Sequence, residues 1–314
     1  MIYFCTYFDK NYLAKFLNLK SSLDRFNFKF TFYILCLDDF SVDFFQKHNF
    51  ANVKVISLDE VENEFDDLIK VKNKREIIEY YFTLTPFLPK FIFKKYSIKQ
   101  ISYLDSDFYF YKNPKRIIDS NCDSSIVLIQ QNVINASDKY GKYNVGWIYF
   151  NFNYGEAIDI VNEWGNQCLE KCSDIPLKGS YADQKYLDTW TSKLKYSRVY
   201  QPEYTCLSPW DNNMALEQNY ETVIAFHFHA LEIFDDHFSS GFHKYNKRID
   251  QIIINRIYLP YIKELRLLEK KYNLKSKSIR SQRKNVFNKY LIKLRNFKSY
   301  IKKIYFNDKY YFKI

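Results

Sequence analysis

Glycine and proline are scarce in this 314-residue chain, with 6 and 7 residues. That balance argues against disorder. No apolar run approaches the ~18 residues that a membrane-spanning helix needs. The opening Met1-Ile2-Tyr3-Phe4-Cys5 carries no basic leader and no long apolar segment. We therefore expect neither a signal peptide nor a transmembrane helix, and a cytoplasmic location. The six cysteines are dispersed. Cys168 and Cys172 share a face of a helical stretch, but no second Cys/His pair at finger spacing accompanies them, so no zinc site is expected. Cys5 and Cys36 read as small buried hydrophobes. No internal repeat is visible.

What the chain does have is aromatic residues: 29 Tyr and 29 Phe, enough for a substantial core. It also has an uneven charge. The net charge is +11, yet residues 246–314 hold 20 Lys and Arg against 4 Asp and Glu. The body is thus mildly acidic, and all of the surplus lies in the C-terminal segment. The shift predicts a boundary near Phe242 to Arg248, with one domain over 1–245 and a basic helical extension over 246–314. Within the extension Val286, Phe287, Tyr290, Leu291, Leu294, Phe297, Ile301, Ile304 and Tyr305 recur at helical spacing. Either this helix packs on the body with a solvated basic face, or it attaches to an anionic membrane surface.

The first half alternates strand and helix patterns, which predicts an α/β fold. Strands are expected at Ile2–Thr6, Phe30–Leu37, Val53–Ser57, Ile101–Asp105, Ser125–Gln130 and Val223–His229, with alternation also across Tyr143–Asn153. Helices are expected at Asn11–Phe26, Glu156–Cys172 and Ala182–Leu194, and over parts of Lys74–Tyr96, where Pro86 and Pro89 interrupt. Ligands of such sheets bind beyond the carboxyl ends of the strands, where Thr6, Asp38 and Asp105 fall.

The segment Tyr103-Leu104-Asp105-Ser106-Asp107 is the most informative. Strand alternation puts Asp105 and Asp107 on one face. Two carboxylates at a strand end can hold a hard divalent cation, which can hold a diphosphate; a solvated turn is the competing reading. Alternation also puts His227 and His229 on one face, as a ligand pair needs.

Four separated segments together resemble the GT-A glycosyltransferases, in particular the retaining, DxD-containing transferases of family eight. They are Ile2 to Leu13 with Leu19 to Leu23, Tyr103 to Phe110, Asn144-Val145-Gly146-Trp147 with Ala182-Asp183-Gln184-Lys185-Tyr186-Leu187-Asp188, and Ala225 to Ala230. Lys139 to Gly146, the Cys168/Cys172 pair and Ser208-Pro209-Trp210-Asp211 are similar to a neighbouring bacterial group. The likeness covers residues 1 to about 235. It implies a Rossmann-like mixed sheet flanked by helices. It also implies a nucleotide site at Thr6, Asp9, Asn11, Tyr12 and Asp105, and one divalent cation, Mn²⁺ or Mg²⁺, on Asp105, Asp107 and His227. Asp183 and Gln184 would be catalytic, beside the transferred sugar. Asn144, Gly146, Trp210 and His229 would meet sugar or acceptor. Asp183 reads equally as a helix N-cap, and Trp210 as a core residue. The family's Gly after the His is Ala230 here, and its Lys-Pro-Trp is absent; Ile233-Phe234-Asp235 stands instead. The role of that Lys is either missing or moved to His229, His237 or Lys244.

The resemblance implies a transferase using a nucleotide-activated sugar, UDP-linked, with retention. The acceptor would be a bacterial surface glycan such as lipopolysaccharide or capsule, or a lipid-linked precursor, reached from the cytoplasm or peripherally at the inner membrane face. Three other readings stand beside it: a nucleic-acid binder through the basic segment, a glycosidase using two carboxylates, and a sugar-nucleotide binder without turnover. Because the body is acidic, no nucleic-acid partner is expected.

Overall fold

The computed structural model describes residues 1–131, 137–176, 179–202, 205–211, 221–235, 237–245, 249–275 and 311–314. Its centre is a seven-stranded mixed sheet. The strands are β1 (Ile2–Phe8), β2 (Phe30–Cys36), β3 (Val53–Ser57), β4 (Gln100–Leu104), β6 (Ile126–Gln130), β7 (Tyr143–Asn151) and β8 (Ser197–Tyr200), in the order β3-β2-β1-β4-β7-β6-β8. β1, β2, β3 and β4 run parallel, whereas β7 is antiparallel to both β4 and β6. A small second sheet joins β5 (Phe108–Phe110), β10 (Ala225–His227) and β9 (Cys206–Leu207).

Two cores follow from the period of two along the strands. Phe4, Phe8, Phe32, Ile34 and Cys36 face one layer, built with α1 (Leu13–Asp24) and α2 (Asp39–His48). Cys5, Tyr33, Leu35 and Leu37 face the other, under α3 (Leu58–Glu64), α4 (Asp66–Lys72), α5 (Ile77–Leu84), α6 (Phe87–Tyr96) and the helix Gly155–Glu170. Local signals set the helix starts. Asp38 caps α2 by accepting from the Ser41 amide, Ser57 and Glu60 form a capping box on α3, and Pro86 immediately precedes α6. The second Asp38 oxygen accepts from the Lys10 amide at 2.7 Å, tying together the loops that follow β1 and β2.

Three expectations change. The helix expected over Ala182–Leu194 is a 3₁₀ turn, Lys185–Thr189, followed by a short α-turn, Trp190–Lys193. Ala182 has φ +47°, its amide bonds to the Ser173 carbonyl, and the Asp183 carbonyl accepts from the Trp164 indole. Those backbone groups are engaged elsewhere, so no helix starts there, and Asp183 is not its N-cap. The strand expected over Val223–His229 ends at His227, because the Phe228 amide bonds to the Asp107 carbonyl and Ala230, at φ +61°, turns the chain. The helix expected to reach Cys172 ends at Glu170.

The charge boundary near residue 245 is not a packing boundary. Ile253, Ile257, Tyr258, Tyr261, Ile262 and Leu265 belong to the same buried core as β1 and α1. The helix Leu259–Tyr272 lies against α1, where the Asn18 side chain donates through Nδ2 to the Tyr261 carbonyl at 3.1 Å, and Tyr261 stacks on Phe228 with ring centroids 3.7 Å apart. The basic amphipathic pattern over Val286–Tyr305 lies outside the described residues. No helix among the described residues is long and apolar enough to cross a membrane. All six cysteines are free, and Cys122 alone is exposed.

Truncating Leu265 to Ala should cost about 2–5 kcal/mol, the range for a buried Leu. Urea unfolding of the full chain checks this: a cost below 1 kcal/mol would mean that this segment does not belong to the body.

Candidate functional site

A cavity of about 880 Å³, including its open mouth, lies at the carboxyl ends of β1, β2 and β4. Its walls come from Tyr7, Phe8, Asp9, Tyr12, Leu37, Tyr103, Asp105, Ser106 and Asp107, from Ile78, Tyr81 and Phe82 of α5, and from His227, His229, Ala230 and Lys244. This is where ligands of open parallel sheets bind.

At its base Asp105, Asp107 and His227 each offer one ligand atom, and the three atoms lie within 4.8 Å of one another. His227 Nε2 is 3.1 Å from Asp107 Oδ1 and 3.5 Å from Asp105 Oδ2. The two carboxylates do not converge by strand alternation, as the sequence suggested. β4 stops at Leu104, and Asp105 to Asp107 form a turn closed by the Phe108 amide on the Asp105 carbonyl. The turn enters β5, which pairs antiparallel with β10 and sets Phe108 opposite His227. Tyr103 donates to Asp105 Oδ1 at 2.8 Å and so leaves Oδ2 toward the imidazole.

The charges are mutually dependent. Burial pushes Asp107 up, but the charge of His227 and its hydrogen bond, with Lys15 and His229 adding, hold it below the usual carboxylate range. Asp105 moves the other way: burial raises it, the Asp107 charge adds, and His227 offsets only part. Burial alone would lower His227, yet the two carboxylates raise it above the ordinary histidine value. A positive charge is favoured beside these carboxylates, and the imidazole faces both of them. A divalent ion fits the donor set of two carboxylates and an imidazole.

The nucleotide residues expected from sequence divide. Asp9 and Tyr12 line the cavity. Asn11 does not; its amide and side-chain nitrogen occupy both Asp9 oxygens at 3.0 and 2.8 Å. Thr6 is fully buried in β1, away from the cavity lining. Burial, opposed by the Asn11 bonds, raises Asp9.

The sugar residues divide as well. Gly146 lies against the metal-site turn: its carbonyl accepts from the Asp105 amide, and a Cβ there would lie 3.0 Å from Asp105 Oδ2 and 2.7 Å from Phe108. The Asn144 side chain accepts from the Gly146 amide. Gln184 spans the backbone, accepting from the Val145 amide and donating to the Tyr140 carbonyl. His229 lines the cavity, whereas Trp210 is buried with its ring against both His227 and His229. Asp183 lies behind the wall, hydrogen-bonded to Thr85, whose hydroxyl is 3.1 Å from that of Tyr7. Burial, with the Asp105 charge adding, pushes Asp183 up to about 7.

Sequence reasoning missed the α5 wall, although Ile78, Tyr81 and Phe82 stand at helical spacing on one face. It also missed Tyr7, just beyond the expected first strand, and Tyr103, which read only as a strand aromatic.

No protein-family model matches the chain. Similar curated proteins include the uncharacterized YfnF of Bacillus subtilis strain 168, 29% identical over 196 residues, which are 59% of this chain and 64% of YfnF. The chain thus matches less than two thirds of the length of that relative. YfnD of the same strain is 26% identical over 282 residues, covering 84% of this chain and 88% of YfnD. Among solved structures, mouse xyloside xylosyltransferase 1 aligns with a TM-score of 0.50 at 15% identity, over 73% of this chain and 98% of that one. The bifunctional glycosyltransferase WbbM aligns with a TM-score of 0.51 at 12% identity, over 73% and 46%. The mixed sheet flanked by helices is the GT-A fold of these proteins.

Asp183 generates a pH prediction. Its folded value near 7 lies above the ordinary 3.8, so the native state holds the proton more tightly than the unfolded chain does. Stability should therefore fall as pH rises from about 4 to 7 and level off above. Asp183→Asn removes that term. In metal-free buffer its advantage in melting temperature should be absent at pH 4 and grow to the equivalent of a few kcal/mol at pH 8. A pH-independent difference between the two proteins would refute the assignment.

Proposed function

We propose that the protein is a metal-dependent glycosyltransferase. It would move a sugar from a nucleotide-diphospho-sugar, UDP-linked, to a surface glycan or lipid-linked acceptor, with retention of configuration. One observation carries this reading: Asp105, Asp107 and His227 converge at the base of a cavity at the carboxyl end of a GT-A sheet. A glycosidase needs two carboxylates but no imidazole between them.

Asp105, Asp107 and His227 would hold a divalent cation, which would supply Lewis-acid neutralisation of the diphosphate. The protein's own residues do the rest. Asp9, held in place by Asn11, accepts from the base, and the Tyr12 ring offers it a flat face. Tyr103 orients Asp105. His227 would ligate such a cation through an unprotonated Nε2. Asp183, behind Thr85 and Tyr7, would favour positive charge on the transferred sugar once it is ionised, above its folded value of about 7. Asn144, Gly146 and Gln184 act by fixing the backbone of β7 beside Asp105, and Trp210 by buttressing both histidines. The wall of Ile78, Tyr81 and Phe82 covers the apolar faces of the sugar or base. The surplus of basic residues over 276–310 supports attachment to an anionic membrane surface, where a lipid-linked acceptor is presented.

Thermal-shift measurements with a panel of nucleotides should give stabilisation by UDP or UDP-sugars with Mn²⁺ or Mg²⁺, and little by GDP. Asp105→Asn combined with Asp107→Asn should abolish both the metal-dependent shift and sugar transfer. A double variant with undiminished, metal-dependent transfer would overturn the metal site. Cation binding should also weaken as pH falls through the His227 range, which lies above the usual histidine value.

The membrane proposal has its own test. Replacing the Lys and Arg residues between 277 and 303 by Gln should release the protein from phosphatidylglycerol vesicles in a sedimentation assay. Unchanged sedimentation would remove the membrane from the proposal and leave the transferase reading intact.

A further inference from the structure

Asp183 has no place in the cavity wall. Only 4% of it is exposed, and it stands behind the residues that line the cavity. A buried carboxyl is costly to ionise without positive charge nearby. The titratable groups that face it are Asp105 and Tyr103 at the end of β4, Tyr7 of β1 and Cys168 of the helix Gly155–Glu170. None of these four supplies a positive charge. The side-chain partner of its carboxyl is the Thr85 hydroxyl.

Thr85 stands between α5 and Pro86 and is fully buried. Two residues earlier, Thr83 donates to the Glu79 carbonyl one turn back, a common use of a helical Thr. Thr85 turns instead to two side chains, the Asp183 carboxyl and the Tyr7 phenol, whose oxygen is 3.1 Å away. Tyr7 alone of these three is not buried, and it lines the cavity. Its ring neighbours that of Tyr103, with centroids 5.9 Å apart, and Tyr103 spends its own proton on Asp105. Contact by contact, Tyr7 thus links Asp183 to the metal-site turn. Each hydroxyl carries one proton, so the chain has a direction. With Asp183 ionised, Thr85 donates to it and Tyr7 donates to Thr85, and the Tyr7 oxygen can only accept from a ligand. With Asp183 protonated, the order can reverse and the Tyr7 proton is free to be donated.

We propose that the Tyr7 hydroxyl is a contact for a hydroxyl of the bound sugar, with Thr85 holding it and Asp183 setting which partner donates. Asp183 thus acts on the sugar through two hydroxyls and not by touching it. Tyr7 is the residue that meets the substrate, and Thr85 is a positioning residue. That the sugar arrives on a nucleotide diphosphate rests on the reading above; the Tyr7–Thr85–Asp183 chain itself does not. The contact changes polarity where Asp183 gives up its proton, at about 7. Above that pH the chain ends in a carboxylate, which makes the Tyr7 oxygen a stronger acceptor.

Two measurements on the full chain test this. The first is calorimetric titration, with Mn²⁺, of UDP, UDP-glucose, UDP-galactose and UDP-N-acetylglucosamine at pH 6 and pH 8. The quantity read is the ratio of UDP-sugar to UDP affinity, in which changes at the metal and the diphosphate cancel. For the preferred sugar at pH 8, Tyr7→Phe should lower this ratio about fivefold, the scale of one hydrogen bond. The wild-type ratio should rise from pH 6 to pH 8. In Tyr7→Phe and Thr85→Val it should stay constant, and Thr85→Ser should restore the rise. Equal ratios in wild type, Tyr7→Phe and Thr85→Val would overturn the proposal and leave both residues as packing. UDP bound without preference for any UDP-sugar would do the same while keeping the nucleotide. No UDP binding would sink the nucleotide-sugar reading, and the sugar contact with it, but not the chain. The second measurement needs no ligand or metal. Loss of the Thr85 hydroxyl removes a bond that favours the Asp183 carboxylate, so the fall in stability with rising pH should extend to higher pH in Thr85→Val than in wild type or Thr85→Ser. A Thr85→Val profile that matches wild type would break the chain, whatever binds. If Thr85→Val does not fold, Thr85→Ala takes its place.

Discussion

Two carboxylates and an imidazole have to be held together in a largely buried place, and the rest of the architecture serves that constraint. Left alone, Asp105 and Asp107 would separate. Backbone bonds prevent it: the Asp105 amide is held by Gly146 on one sheet, and the Asp107 carbonyl holds Phe228 next to the other. The turn between them is thus the junction of the two sheets, and His227 arrives from the far side of that junction. Gly146 is the steric counterpart. Any side chain there would meet Phe108 and Asp105, so the approach of β7 to the turn depends on its absence.

Much of this was legible in the sequence, because period-two patterns and charged strand ends are local signals. β3 was read to the residue, and β1, β2, β4, β6 and α1 to within two residues at each end. Asp105, Asp107 and His227 were singled out together, although for Asp105 and Asp107 the geometric reason was wrong: a turn, not alternation, brings the pair together. What could not be read were features decided by distant partners. The break at Ala182 depends on Ser173 and Trp164. The engagement of Asn11 with Asp9, and of Gln184 with Val145 and Tyr140, is likewise set by partners that spacing does not announce.

Charge and packing gave different partitions of the chain. The basic surplus begins after residue 245, yet Tyr258, Tyr261 and Leu265 complete the core that supports α1. Long cationic side chains permit this, since a helix can bury an apolar stripe while its Lys and Arg stay in water. Composition therefore locates a change of surface, and apolar periodicity locates the core. The strand Tyr311–Lys313, paired with His237–Ser239, shows the same body being used again near the end of the chain.

The distribution of thiols has a practical side. Cys122 adjoins a shallow depression lined by Met1, Gln100 and Ile101, at the starting ends of β1 and β4. The cavity lies at their other ends, and the remaining five thiols are buried. A maleimide dye on the unmodified chain would thus go to one position, a sheet's length from the metal-site turn. Orientation on a surface, or distance to a labelled ligand, could then be measured without introducing a single substitution.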